Sequence, residues 1–576
     1  MFATALSCAL RGLAGVPITV EADIAVGLPG FTIVGLPDRA IQEARERVKA
    51  AIRNAGFEFP ARKLTVNLAP AEVPKAGTAH DLAIALAVLR CAGHDIALHG
   101  TALLGELALD ATLRPVNGVL PMARALKAAG VRRLIVPMEN AAEASMVDAL
   151  EIVGAPSLPA CVAHLEGSQP LPSVTAGPTA STGGEAVDIA EVRGQAHAKR
   201  AVEIAAAGGH NLLMLGPPGS GKTMLARALV SLLPDLSADE ALEVAAIWSL
   251  RGALGERAPS SARPPFRSPH HSISRAGLIG GGSALAQPGE ISLATRGVLF
   301  LDELCEFPRT LLEALREPLE ERLVTVGRAR GTVSYPASFT LVAAANPCPC
   351  GYYGDPVRAC RCGHREMQAY QGRLSGPVRD RIDLVVSVPR QSYDVLFPGG
   401  LKEETSTAVR TRVAAARQRQ LARNVALKQR DAAADGAPKG PRRSRRRVAV
   451  SPGEDGPTQA AAGGERGARS AAVPATGETP SASADGVDAD SRILLPPRAP
   501  SLINADLDGI LLLAACDPTP GAARLLSVAG DRLQLSARAF HRVLRVARTI
   551  GDLAGEERVD EAALGEALRF RGEASQ

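Results

Sequence analysis

Asn211-Leu-Leu-Met-Leu-Gly216-Pro-Pro-Gly-Ser-Gly-Lys222-Thr223-Met-Leu-Ala-Arg-Ala-Leu229 is the stretch that decides the fold. Its opening apolar run reads as a buried strand, and its close begins a helical apolar pattern. Between them Gly216, Pro217, Pro218, Gly219, Ser220, Gly221, Lys222 and Thr223 match G-x-x-x-x-G-K-[ST]. Glycines let backbone N–H groups wrap phosphate oxygens at the start of a helix. Lys222 would bring a point charge to the β- and γ-phosphates, and Thr223 a hydroxyl to Mg²⁺. Strand, loop and helix in this order predict ATP binding in an α/β domain. The competing reading, a chance glycine-rich turn, requires none of that context.

A second stretch, Val298-Leu-Phe-Leu-Asp302-Glu303, is an apolar strand ending in two carboxylates. After a P-loop, Asp302 is expected to join the Mg²⁺ shell and Glu303 to orient the attacking water. Asn346 ends a third apolar run, Leu341-Val-Ala-Ala-Ala-Asn346, and could position water near the γ-phosphate. Arg381 and Arg538 are candidates to reach phosphate charge, one from a neighbouring subunit and one from the chain's own lid. A surface ion pair is the equal alternative for each.

Cys348, Cys350, Cys360 and Cys362 form two C-x-C pairs separated by nine residues. Four thiols so close suit a tetrahedral structural Zn²⁺ site, with His364 as a possible substitute ligand. Free thiols or a redox switch are the other readings. Arg410, Arg412, Arg417, Arg419, Arg423, Lys428 and Arg430 form a basic stretch. It fits either a phosphate-backbone surface or a solvated helix face.

The chain has 576 residues, which suggests about three domains. Hydrophobic residues make up 46% and charged ones 22%, as in a soluble globular protein. The net charge of +5 neither implies nor excludes a nucleic-acid partner. No apolar run is long enough for a membrane span, and the N-terminus reads as a first strand rather than a signal peptide, so a cytoplasmic protein is expected. Strands at 18–20, 31–34 and 64–68 and helices at 38–55, 80–91 and 121–129 give a mixed domain over 1–165. A Gly/Pro/Ser/Thr-rich linker is expected at 166–186 and an α/β parallel-sheet domain at 187–390, with strands at 211–215, 298–302 and 340–345. Helices are expected at 391–430 and 493–576, flanking a disordered insertion at 431–492.

Several further stretches carry a resemblance: Phe266-Arg-Ser-Pro-His-His271, Gly280-Gly-Gly-Ser283, Pro288-Gly-Glu-Ile-Ser-Leu-Ala294 and Leu535-Ser-Ala-Arg-Ala-Phe-His-Arg542. Gly30-Phe-Thr-Ile-Val-Gly-Leu-Pro-Asp38 and Thr65-Val-Asn-Leu-Ala-Pro-Ala71 belong with them. Together with the cysteine site they resemble the magnesium chelatase-like AAA+ ATPases, and within these the ComM/YifB family. The resemblance spans nearly the whole chain except about 431–492. It implies an AAA+ domain with a zinc-binding insertion and a C-terminal helical lid, assembled as a homo-oligomer, a hexameric ring. It assigns sensor 1 to Asn346, the arginine finger to Arg381 and sensor 2 to Arg538, with 266–292 lining a central pore. It implies DNA as partner and branch migration during transformation as the activity.

Pro74-Lys-Ala-Gly-Thr-Ala-His-Asp81 and Gly105-Glu-Leu-Ala-Leu109 are similar to Lon proteases, which implies a Lon-like α+β N-terminal domain. The positions matching the Lon Ser–Lys pair are Ala79 and Leu120, which supply neither nucleophile nor base, so no peptidase activity is expected. The rival readings are a chelatase-type motor driving a partner enzyme, a Lon-like protease, and a non-catalytic scaffold.

Overall fold

The computed structural model describes residues 1–35, 38–175, 187–254, 262–282, 286–328, 331–373, 376–392, 403–435 and 503–572. The expected insertion at 431–492 lies almost wholly outside these residues, as do most of the linker and Ser283. Residues 1–428 and 499–576 pack as one compact unit.

The N-terminal part is an eight-stranded mixed sheet with helices packed against it. The strand Phe2–Arg11 pairs antiparallel with Ala14–Ala25, which pairs antiparallel with Lys63–Ala69. Gly30–Val34 closes one edge parallel to Lys63–Ala69. The helix Arg39–Asn54 starts where Asp38 accepts the Ile41 N–H, the N-cap expected from its sequence. The helix Asp81–Cys91 is apolar on almost every side and lies buried. The expected linker begins too early, because Ser173–Val174 pairs antiparallel with Glu151–Ala155 and extends the sheet. Two residues carry too little periodicity to announce a strand.

The second sheet is wholly parallel, in the order Phe266–Arg267, Val298–Leu301, Thr340–Ala345, Leu212–Leu215, Leu384–Ser387. Its three central strands are buried along almost their whole length, as continuous apolar runs require in a sheet covered on both faces. One face packs on the helices Ala196–Gly208 and Lys222–Leu232 and on C-terminal helices including Ala537–Ala554. The other packs on the segment from Leu278 to Tyr335.

The C-terminal helices are Ser406–Asp435, Gly509–Cys516, Pro520–Arg532, Ala537–Ala554 and Glu561–Gly572. The first runs past 431 into the segment expected to be disordered. Several of its arginines reach inward to partners elsewhere in the fold, while Arg412, Arg419 and Arg430 keep exposed surface, as the solvated-face reading expects. Arg417 donates to the Ala206 carbonyl at 2.7 and 3.0 Å, and Gln420 to that of Ala207 at 3.3 Å, so both cap the end of Ala196–Gly208. Arg412 pairs with Glu203 at 2.8 Å, Arg410 with Asp235 at 2.6 Å, and Arg423 donates to Asn504 at 2.7 Å. These residues clasp the C-terminal helices onto the parallel-sheet domain.

Among the described residues, no helix is long and apolar enough to cross a membrane.

Candidate functional site

Parallel strands place every residue that follows them at one end of the sheet, the carboxyl end, where α/β folds bind ligands. Leu215 leads into Gly216, Leu301 into Asp302 and Ala345 into Asn346, on three adjacent strands. The loop needs its first glycine, because a Cβ at Gly216 would stand 2.1 Å from the Val388 carbonyl oxygen. The helix Lys222–Leu232 then begins directly below the loop.

Lys222 folds back over this loop. Its ammonium donates to the Gly216 and Pro217 carbonyls at 2.8 and 2.9 Å and to Asn346 Oδ1 at 3.3 Å. Burial lowers its pKa, with Asp302 and Glu303 pulling the other way. Thr223 Oγ1 donates to Asp302 Oδ2 at 3.1 Å. A hydroxyl and a carboxylate at that separation are hard oxygen donors of the kind Mg²⁺ takes beside nucleotide phosphates. The structure thus brings together Lys222, Thr223, Asp302 and Asn346, four of the residues singled out in the sequence.

Glu303 is held in an unusual backbone state. Its φ is +51°, in the left-handed region, and its N–H donates to Asp302 Oδ1 at 2.9 Å. Such a conformation costs on the order of 1 kcal/mol and persists where surrounding structure enforces it. Its carboxylate Oε2 meets His271 Nδ1 at 3.2 Å. The His271 ring is itself tilted against His270 at 4.0 Å between centroids. The sequence offered His271 only as part of a family motif. Its reach to Glu303 comes from the fold.

The four cysteines converge. One sulfur from each lies within 4.8 Å of the others. The Cys348–Cys350, Cys348–Cys360 and Cys350–Cys360 sulfurs are 3.4, 3.6 and 3.6 Å apart. Thiolates about 2.3 Å from a tetrahedral zinc would be about 3.8 Å apart, so the cluster is close to the size of a metal-bound one. The Arg361 and Tyr352 N–H groups lower the Cys350 thiol to about 6, favouring the thiolate that a metal binds. His364 is not part of this group. The cysteine segment also touches the phosphate loop, since a Cβ on Gly351 would stand 2.7 Å from Pro218 Cδ.

Arg381 and Arg538 are not at this end. Leu384 is in parallel register with Leu212, so Arg381 lies beyond the amino ends of the strands. Even a four-residue strand spans about 13 Å, which separates Arg381 from its own phosphate loop. The Arg381 carbonyl accepts from Asn211 Nδ2 at 2.8 Å, and its guanidinium pairs with Glu320. Arg538 sits one turn ahead of Arg542, which donates to the Ile382 carbonyl at 3.1 Å. Burial, followed by the charges of Arg316 and Arg538, lowers the Arg381 pKa. The helix carrying Arg538 therefore meets Arg381 and not the chain's own Lys222, unlike the own-lid placement expected from sequence.

In the N-terminal sheet, Ala79 and Leu120 pack in one apolar cluster with Ala246 of the second domain. The Leu120 N–H donates to Glu143 at 2.9 Å. No nucleophile or base stands at either position.

A phosphate loop, an acidic strand end and a polar strand tip on one parallel sheet, with the remaining cations at its far edge, define a P-loop unit of the AAA+ type. The family described as magnesium chelatase, subunit ChlI, matches residues 188–396, with related ChlI families matching 20–140 and 488–571. The competence protein ComM of Haemophilus influenzae is 38% identical over 576 residues, covering 98% of this chain and 96% of its own. The uncharacterized protein YifB of Salmonella typhimurium is 47% identical over 428 residues, 73% of this chain and 83% of its own. The chain belongs to the ComM/YifB family of magnesium chelatase-like proteins. Lon protease 2 of Bacillus subtilis is 30% identical over 110 residues, 19% of this chain and 20% of its own.

Proposed function

We propose that the protein is an ATP-driven DNA motor, working in the cytoplasm as a homo-oligomeric ring, a hexamer, that promotes branch migration. The observation that carries the ring is the division of polar and charged groups between the two ends of one sheet. Lys222, Thr223, Asp302, Glu303 and Asn346 stand at the carboxyl end, and Arg381 and Arg538 at the amino end. A nucleotide bound by the first set meets the second set only on another copy. DNA as substrate rests on membership in a family that includes a competence protein.

ATP would lie with its phosphates on the 216–223 loop. Lys222 would exchange its two backbone carbonyls for phosphate oxygens. Thr223 and Asp302 would hold Mg²⁺, which neutralises phosphate charge when bound. Glu303 would orient water for attack, Asn346 would report on the γ-phosphate, and Arg381 and Arg538 of the adjoining copy would stabilise charge as the phosphate leaves. The cysteines would hold one structural Zn²⁺ that stiffens the segment pressed against Pro218. Residues 1–165 would form a non-proteolytic Lon-like domain, and the helices after 391 a lid.

A three-way DNA junction unwinding assay with the wild-type protein and Glu303→Gln tests the reading. ATP-dependent strand separation by the wild type alone supports it, and turnover indifferent to DNA at low salt sinks the DNA assignment. The competing reading is a motor that drives a partner enzyme. It gains from one observation: Arg410, Arg412 and Arg417 of Ser406–Asp435, which could have met a phosphate backbone, are engaged by Asp235, Glu203 and the Ala206 carbonyl of the same chain.

A further inference from the structure

The helix Arg316–Glu321 lies at the amino edge of the parallel sheet beside Arg381. Its Glu320 carboxylate pairs with the Arg381 guanidinium through one oxygen. The other oxygen lies 3.8 Å from Arg316 Nε, one helical turn back. Arg538 approaches on the helix whose Arg542 binds the Ile382 and Arg379 carbonyls at 3.1 and 3.4 Å and faces Asp380 at 3.6 Å. Two guanidinium groups, Arg381 and Arg316, therefore share one carboxylate, and the charge of Arg538 reaches Arg381. Held this way, the Arg381 side chain is only 8% exposed, whereas Glu320 is 44% exposed. A finger meant for a neighbour's phosphate cannot be delivered from a buried pair.

A carboxylate and a phosphate present arginine with the same thing: oxygens bearing negative charge in a geometry that a planar fork matches. Glu320 is exposed enough to be pushed aside, and Arg316, at 57% exposure, faces the same solvent side. We propose that Glu320 is an internal substitute for a neighbouring subunit's γ-phosphate, holding Arg381 and Arg316 until assembly displaces it, and that Arg316 then joins Arg381 on that phosphate. The inference rests on the reading of Arg381 as a group acting on another copy. It adds a third cation to the shared site and a contact that restrains the unassembled chain. Two arginines exchange one carboxylate for a more highly charged anion, so assembly around bound nucleotide is favoured over assembly around an empty loop.

ATP turnover measured against protein concentration tests this in the full chain. Glu320→Gln keeps the shape and removes the charge. Half-maximal turnover is expected at a concentration several-fold lower than in wild type, with the plateau little changed. Glu317→Gln, an exposed acid on the same helix, should behave as wild type. Arg316→Ala should lower the plateau kcat by about ten-fold or more with the KM for ATP held, the scale of a lost charge-assisted bond. Arg316→Lys should not restore it, because an ammonium cannot present a fork.

An unchanged concentration dependence in Glu320→Gln, or an Arg316→Ala plateau equal to wild type, overturns the proposal. Mixing Arg381→Ala with Lys222→Ala chains separates its failure from failure of the underlying reading. Activity recovered in the mixture shows that Arg381 serves another copy, whatever Glu320 does. A mixture that stays inactive, beside an inert Glu320→Gln, rejects both.

Discussion

His271 Nδ1 stands 3.2 Å from Glu303 Oε2, which ties a histidine of the Phe266–His271 stretch to the carboxylate that follows Asp302 at the strand end. Glu303 is half exposed and strained in its backbone, so its side chain needs an outside hold to face one way. His271→Ala is expected to lower kcat for ATP by about ten-fold while leaving KM unchanged, since the imidazole touches Glu303, the proposed water-orienting group, and not the 216–223 loop. His271→Asn, which can still donate to the carboxylate, should recover part of that loss. Steady-state ATP turnover is the measurement, and a KM effect without a kcat effect would mean that the pair serves binding instead.

Lys222 and Glu303 should separate binding from chemistry. The Lys222 ammonium contacts two carbonyls of the 216–223 loop, which places it over that loop. Its replacement by Ala should abolish nucleotide binding as read by a fluorescent ATP analogue. Glu303→Gln retains shape and should bind normally while turnover falls by roughly 10²-fold or more. Equal loss of binding in both variants would contradict the division of labour.

The parts of this site that were legible in the sequence share a physical property. Asp302 and Asn346 directly follow apolar strand runs, and Lys222 and Thr223 follow one across the glycine loop; a parallel sheet gathers such positions at one end. Local order in the chain therefore carried their spatial order. Arg538 was different. Nothing in Leu535-Ser-Ala-Arg538 says which end of the sheet its helix meets, and packing of Arg542 against the Ile382 carbonyl decides it. The arginines of Ser406–Asp435 misled for a related reason. A charge run records composition, whereas its partners, such as the Ala206 carbonyl and Glu203, lie some 200 residues away. The Glu320 contact with Arg381 was invisible for the same cause.

The cysteine cluster should hold about one zinc per chain, measured by elemental analysis of protein purified under reducing conditions. Sulfurs only 3.4 to 3.6 Å apart favour a metal between them. Cys350→Ser with Cys360→Ser should lose the metal. Because Gly351 abuts Pro218, that pair should also weaken ATP binding while leaving the fold intact by circular dichroism. Zinc-free protein with normal ATP affinity would remove both the metal and its mechanical role.

His80 makes the N-terminal domain sensitive to acid. The ring is buried, with Nδ1 2.8 Å from Ser7 Oγ, and its Nε2 has no partner among the described residues. Burial, reinforced by the charge of Lys75, lowers its pKa from 6.5 to about 4. A depressed histidine value means that the fold prefers the neutral ring. Its contribution is fully present above the unfolded value of 6.5 and is lost as pH falls from there towards 4. Between pH 7.5 and 5 that loss is about 2 kcal/mol. Neighbouring Asp81, raised by burial to about 6, pulls the opposite way and stabilises on acidification. Comparison with His80→Phe isolates the imidazole, because Asp81 and its partner Arg47 remain in both proteins. Denaturant melts at pH 7.5, 6 and 5 should show the wild type losing ground to the variant by that amount. Parallel loss in the two proteins would mean that the ring can charge in place, with solvent reaching Nε2 in the folded domain.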